Sequence, residues 1–120
     1  MQPIHEFMTS PVISIEAQAT VETAARLMCE KKISSLLVKE GEEYVGIVTQ
    51  SDFVKKLIVE GLSAKTTNVA AVMSKPILSQ DQYIQRSEAN EFMLRNHIKH
   101  LVVTQGKKIL GVLTTENMVS

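Results

Sequence analysis

Gly46-Ile47-Val48-Thr49-Gln50-Ser51-Asp52 returns later in the chain as Gly111-Val112-Leu113-Thr114-Thr115-Glu116-Asn117. A glycine, two aliphatic residues, a threonine and an acid or its amide keep their places in both stretches. Working outward from this pair, residues 4–54 lie over 69–119 without a gap. Met8 meets Met73, Pro11 meets Pro76, Ser14 meets Ser79, Ala24 meets Ala89 and Met28 meets Met93. Ile33 meets Ile98, Leu36 meets Leu101, Val38 meets Val103, Gly41 meets Gly106 and Val54 meets Val119. A gapless match that includes turn glycines and a proline marks an internal duplication, which decides the architecture before any local reading.

Each copy can then be read locally. Val12-Ile13-Ser14-Ile15 is β-prone and follows a proline, so it is a short strand. Thr20 is placed to cap a helix. Val21, Ala24, Ala25 and Met28 share one face of that helix. Leu36-Leu37-Val38 is the short apolar run of a strand buried on both faces. Glu40-Gly41-Glu42-Glu43 is a turn in which glycine supplies positive φ. Tyr44 to Thr49 returns as a strand, and Phe53, Val54, Leu57 and Ile58 mark one face of a second helix. The second copy repeats this order, with Arg86 in the place of Val21 and with Ala89, Phe92 and Met93 as its stripe. Such Met and Phe stripes are read as packing.

The unit is therefore β-α-β-β-α. Alone it would leave a sheet face and two helices uncovered. The expected fold is α/β, of α+β type, with two pseudo-symmetric units paired into one module. Repeat 1 covers 4–59, a polar linker 60–68 and repeat 2 69–120, its last helix cut short at the position matching Lys55.

Composition narrows the function. The chain has 120 residues, enough for one core and one domain, or at most two very small ones. Apolar residues make up 44% and charged residues 22%, a balance that argues against disorder. Basic and acidic residues number 13 each, so no basic excess recommends nucleic acid as a partner. The lone Cys29 cannot form an intrachain disulfide and is read as a small half-buried helix residue. No apolar run reaches the length of a membrane span, and Met1 to Glu6 lacks the character of a signal peptide. A cytoplasmic protein with no membrane partner is expected. Three scattered histidines do not make a metal site. Without a catalytic triad, a metal-ligand cluster or a glycine-rich phosphate loop, the chain is not expected to be an enzyme or to require a cofactor.

The duplicated motif and the lead-ins Met8-Thr9-Ser10-Pro11 and Met73-Ser74-Lys75-Pro76 carry a resemblance. Each copy resembles a CBS domain, the unit named for cystathionine β-synthase, and nearly the whole chain resembles a tandem CBS pair. The family commonly has Leu-Pro-Val-x-Asp in its second strand. This chain has Leu36-Leu37-Val38-Lys39 and Leu101-Val102-Val103-Thr104 there. The resemblance implies a regulatory or signalling module. It implies an adenosyl ligand (AMP, ADP, ATP, S-adenosylmethionine or NAD(H)) in clefts between the halves, and a homodimer formed through the helices.

Taken alone, Thr49-Gln50-Ser51-Asp52 admits two readings. Thr49 and Asp52 have nearly the spacing of a capping box, with Asp52 complementing the helix dipole. The same geometry offers free N–H groups to a phosphate and a carboxylate to ribose hydroxyls. Gly46 would allow backbone or ligand to approach closely. In the family, the aspartate of this motif holds ribose and the hydroxyl residue lies by the phosphate.

By that resemblance, a main cleft joins Thr49 and Asp52 to Ile77, Leu78, Ile98, Lys99, His100 and Val102. The aliphatic residues would flank adenine, and Lys99 and His100 would meet phosphate. His100 reads equally well as a partly buried histidine with a local hydrogen bond. His97 reads as solvated near a helix end, and His5 has no evident partner. A mirror cleft joins Val12, Ile13, Ile33, Ser34 and Ser35 to Thr114 and Asn117. Asn117 lacks the charge of Asp52, and Ser35 stands where the main cleft has His100, so this second cleft is expected to be weaker or empty. The competing function is a structural dimerisation module with a vestigial cleft.

Overall fold

The computed structural model describes residues 2–118, which form two three-stranded sheets and three α-helices. The compact units are offset from the sequence copies. One unit spans Ile13–Ile77, and the other joins the residues up to Val12 to the stretch that begins at Leu78. The lead-in of each copy therefore belongs to the unit built around the other copy.

In the unit Ile13–Ile77 the elements are β1 (Ser14–Glu16), α1 (Val21–Lys31), β2 (Ser35–Glu40), β3 (Glu43–Thr49) and α2 (Gln50–Asp52). The α2 turn continues as a π-helix over Phe53–Ile58. The sheet runs β1-β2-β3, with β1 parallel to β2 and β2 antiparallel to β3. The strand expected from Val12 begins at Ser14. Thr20 caps α1 as expected, its Oγ1 accepting from Thr23 N–H at 3.2 Å. The helix ends at Lys32, whose φ of 57° is left-handed. Linker residues help to cap α1, since Thr67 and Ala64 carbonyls accept from Val21 and Glu22 N–H groups that have no partner within the helix.

Val21, Ala24 and Met28 from α1 meet Ile15, Leu36, Val38, Val48 and Leu57 in one core, together with Val69 and Val72 of the lead-in. Leu36, Leu37 and Val38 are all buried, as a strand covered on both faces requires. Two packing expectations are corrected. Cys29 is exposed, because it lies off the Val21-Ala24-Met28 face. Val54 and Ile58 are also exposed, and only Leu57 of the expected second stripe is buried. Successive residues of a helix lie roughly 100° apart, so the Val54-Ile58 row points away from the Phe53-Leu57 row that meets the core.

The other unit repeats the plan with β4 (Ser79–Asp81), α3 (Arg86–Arg95), β5 (His100–Gln105) and β6 (Lys108–Thr114), followed by a 3-10 turn at Glu116–Met118. Its sheet order is β4-β5-β6, with the same parallel and antiparallel pairings. Ile4, Ala89, Met93, Leu101, Val103, Leu113 and Met118 form its core. Gln85 makes no side-chain cap on α3 and instead accepts from Gln2 N–H at 2.8 Å. Arg86 turns its guanidinium to the Met118 carbonyl at 3.1 Å and lies over the Phe7 ring. This is how a cation is accommodated at the position of the buried Val21. The Val54–Val119 match and the remainder of the last expected helix fall outside the described residues.

Each lead-in is stitched to a sheet at the motif glycine. Thr9 and Val112 exchange two backbone hydrogen bonds of 2.8 and 3.0 Å, and Ser74 and Ile47 do the same. A methyl on Gly46 would come within 2.9 Å of the Ser74 carbonyl, and one on Gly111 within 2.6 Å of the Thr9 carbonyl. The close approach foreseen at Gly46 is thus made by the lead-in, through the Met73 side chain and the Ser74 backbone. Among the described residues, no helix is long and apolar enough to cross a membrane.

Candidate functional site

Thr49 closes β3 with an extended backbone and starts α2 as its cap. Its Oγ1 accepts from Asp52 N–H at 3.2 Å, and Asp52 Oδ2 accepts from Thr49 N–H at 2.9 Å and from Thr49 Oγ1 at 3.2 Å. This is the full capping box that the spacing suggested. Asp52 is only 6% exposed. Its second oxygen is also engaged: Oδ1 accepts from Ser74 Oγ at 2.8 Å and lies 3.1 Å from Lys56 Nζ. The same ammonium donates to the carbonyls of Val72 and Met73 and to Ser74 Oγ, at 3.1 to 3.3 Å. A buried carboxylate is stable here because a cation, a helix N-terminus and two hydroxyls compensate its lost hydration.

Sequence reasoning did not single out Lys56 and Ser74. Lys56 carried a usable signal, since it lies four residues beyond Asp52 and so on the same helical face. Ser74 carried none, because its approach depends on the lead-in crossing to β3.

The remaining candidates divide between the two units. In the unit Ile13–Ile77, Ser35 pairs with Thr49 across the sheet, and the Ser34 carbonyl accepts from Gln50 N–H at 3.2 Å. The Ile13 carbonyl accepts from Leu37 N–H, while Ile33 and Ile77 are half-buried. In the other unit, His100 pairs with Thr114, and the Lys99 carbonyl accepts from Thr115 N–H at 3.1 Å. The Leu78 carbonyl accepts from Val102 N–H; Val12, Ile98 and His100 are half-buried, Val102 is buried and Lys99 is exposed. Inside each unit, then, the sheet register brings a motif together with strand residues of the other expected grouping. Ser34 and Ser35 lie beside Thr49, and Lys99 and His100 lie beside Thr114.

The second motif is a thinner version of the first. Thr114 N–H donates to Asn117 Oδ1, and Asn117 N–H to Thr114 Oγ1, each at 3.1 Å. The cap survives, but the amide brings no charge. His5 stacks edge-on against Tyr83, and His97 is exposed with φ of 54°. Among the described residues, no group of three or more His, Cys, Asp or Glu side chains could hold a metal ion. A groove of about 630 Å3 opens beside the α3 N-terminus, between Gln2, Arg86, Asn90 and Met118; none of the candidate residues lines it.

Comparison with known proteins matches the CBS domain twice, over residues 4–59 and 69–120. A CBS domain-containing mitochondrial protein of Arabidopsis thaliana, CBSX3, is 30% identical over 83% of this chain and 51% of its own length. An uncharacterized conserved protein of Pyrococcus horikoshii has a crystal structure with a TM-score of 0.91 and 28% identity, covering 98% of this chain and 89% of that one. A hexameric CBS-CP12 protein from bloom-forming cyanobacteria gives a TM-score of 0.91 at 31% identity, over 99% of this chain and 70% of that one. The chain spans about half the length of the relatives it matches in sequence.

Proposed function

Because this chain belongs to the CBS-domain family, we propose that it is a regulatory module that binds an adenosyl ligand, AMP, ADP or ATP first among them, and performs no catalysis of its own. The observation that carries this reading is the carboxylate of Asp52, buried at a strand-to-helix junction beside Thr49. A carboxylate there can accept ribose hydroxyls. Asn117 offers a neutral amide at the matching position, so the ligand takes the Asp52 motif first and the Asn117 motif weakly or not at all.

The test is thermal unfolding with AMP, ATP, S-adenosylmethionine and NADH in turn. A ligand at a hundred times its dissociation constant adds about 2.7 kcal/mol of stability. Asp52→Ala is expected to abolish that gain, and a gain that survives the substitution would move the site elsewhere. Two equal sites by calorimetry would contradict the proposed ranking of the motifs.

A second reading, a module that chiefly self-associates, is favoured by a separate observation. Val54, Ile58, Val59 and Leu62 are 54%, 67%, 75% and 44% exposed on the π-helix and in the turn that follows it, apolar side chains that a second copy would cover. The Val54→Ser, Ile58→Ser pair is expected to lower the sedimentation mass toward that of one chain without lowering helicity. An unchanged mass would place any self-association elsewhere.

A further inference from the structure

The Asp52 carboxylate has no acceptor position left over. Two oxygens offer about four lone-pair sites. Thr49 N–H and Thr49 Oγ1 take those of Oδ2, while Ser74 Oγ and Lys56 Nζ take those of Oδ1. A ribose hydroxyl can reach this carboxylate only by displacing one of its donors. The two on Oδ2 close the capping box, and losing them would uncap α2. Of the two on Oδ1, the Lys56 ammonium is the one free to leave. Lys56 has three protons and four acceptors within reach: Asp52 Oδ1, Ser74 Oγ and the carbonyls of Val72 and Met73. It can release Asp52 and keep every proton bonded. Its side chain is also 38% exposed, so water can follow it.

We infer that Lys56, with Ser74 beside it, is a built-in competitor for Asp52 Oδ1 that an adenosyl ligand must displace, and that this pair sets the ligand's affinity. The inference rests on the proposed adenosyl reading of Asp52. Lys56 ties the lead-in carbonyls to the helix, and it keeps those bonds to Val72, Met73 and Ser74 when it yields Asp52 to ribose. A positioning role for Lys56 would have the opposite sign, because a lysine that merely aims Asp52 at the ligand would weaken binding when removed.

The experiment is calorimetric titration of the full chain, its Lys56→Met variant and its Ser74→Ala variant with AMP, each checked by circular dichroism. Lys56→Met keeps the apolar stem and removes the charge. It is expected to tighten AMP binding about tenfold, the change carried by one charge-assisted hydrogen bond, and to lower the melting temperature without AMP. Ser74→Ala, which frees the other position on Oδ1 and leaves Lys56 in place, is expected to tighten binding by a smaller factor. Equal or weaker AMP binding in both variants, with binding by the parent chain intact, would overturn the competitor and leave the adenosyl reading standing. No binding by any of the three proteins of AMP, nor of ATP, S-adenosylmethionine or NADH titrated in the same way, would overturn both.

Discussion

Gly111 shows how one missing methyl can hold a lead-in in place. Its Cα faces the Thr9 carbonyl so closely that an alanine methyl would sit 2.6 Å from that oxygen. The oxygen belongs to the backbone and is fixed by its bond from Val112 N–H, so it cannot swing aside as a long side chain would. Gly111→Ala is expected to cost about 1–3 kcal/mol in urea unfolding, the usual range for overpacking. A cost near zero would mean that the Thr9–Val112 bridge is dispensable. At this scale the sequence was partly legible. The spacing of Thr49 and Asp52 announced a capping box, and Gly46 announced a close approach. The bond from Ser74 to Asp52 could not be read, because it joins residues 22 positions apart across an exchanged lead-in.

Helix ends show the duplication in finer detail. α1 stops at Lys32 with φ of 57°, and the matching His97 after α3 has φ of 54°. Both are left-handed positions occupied by residues with a Cβ, where glycine is at ease and other L-residues are strained by roughly 1–2 kcal/mol. Lys32→Gly should therefore stabilise the chain by about 0.5–1 kcal/mol in chemical denaturation, part of the relief being returned as glycine's greater freedom when unfolded. A loss of stability would show that the Lys32 side chain holds the turn. The elements themselves were legible because a cap, a period and a turn glycine all leave local marks. The outward row of Val54 and Ile58 was not, since it lies roughly 100° round the helix from Phe53 and Leu57 and apolar character alone does not say which row meets the core.

The offset between copies and compact units belongs to the whole molecule. Residues 4–12 and 69–77 match each other in the duplication, so either lead-in would suit either sheet by pattern alone, and no local signal distinguishes the two connections. The structure selects the exchanged one. Ile4 is fully buried in the core formed with Ala89, Met93, Leu101, Val103 and Leu113, although it opens the first copy in sequence. Its counterpart Val69 is fully buried in the core of the unit Ile13–Ile77. Each copy thus completes its hydrophobic core with chain from the other. Ile4→Ala is expected to cost about 2–5 kcal/mol, the range for deleting a buried aliphatic side chain. Hydrogen exchange locates that cost. Protection should fall first at Leu101, Val103 and Leu113 in β5 and β6, while Leu36, Val38 and Val48 in β2 and β3 remain protected at low denaturant. The reverse order would mean that Ile4 completes the core of its own copy, as a duplication without exchange requires. Val69→Ala provides the mirror experiment, with the first loosening expected in β2 and β3.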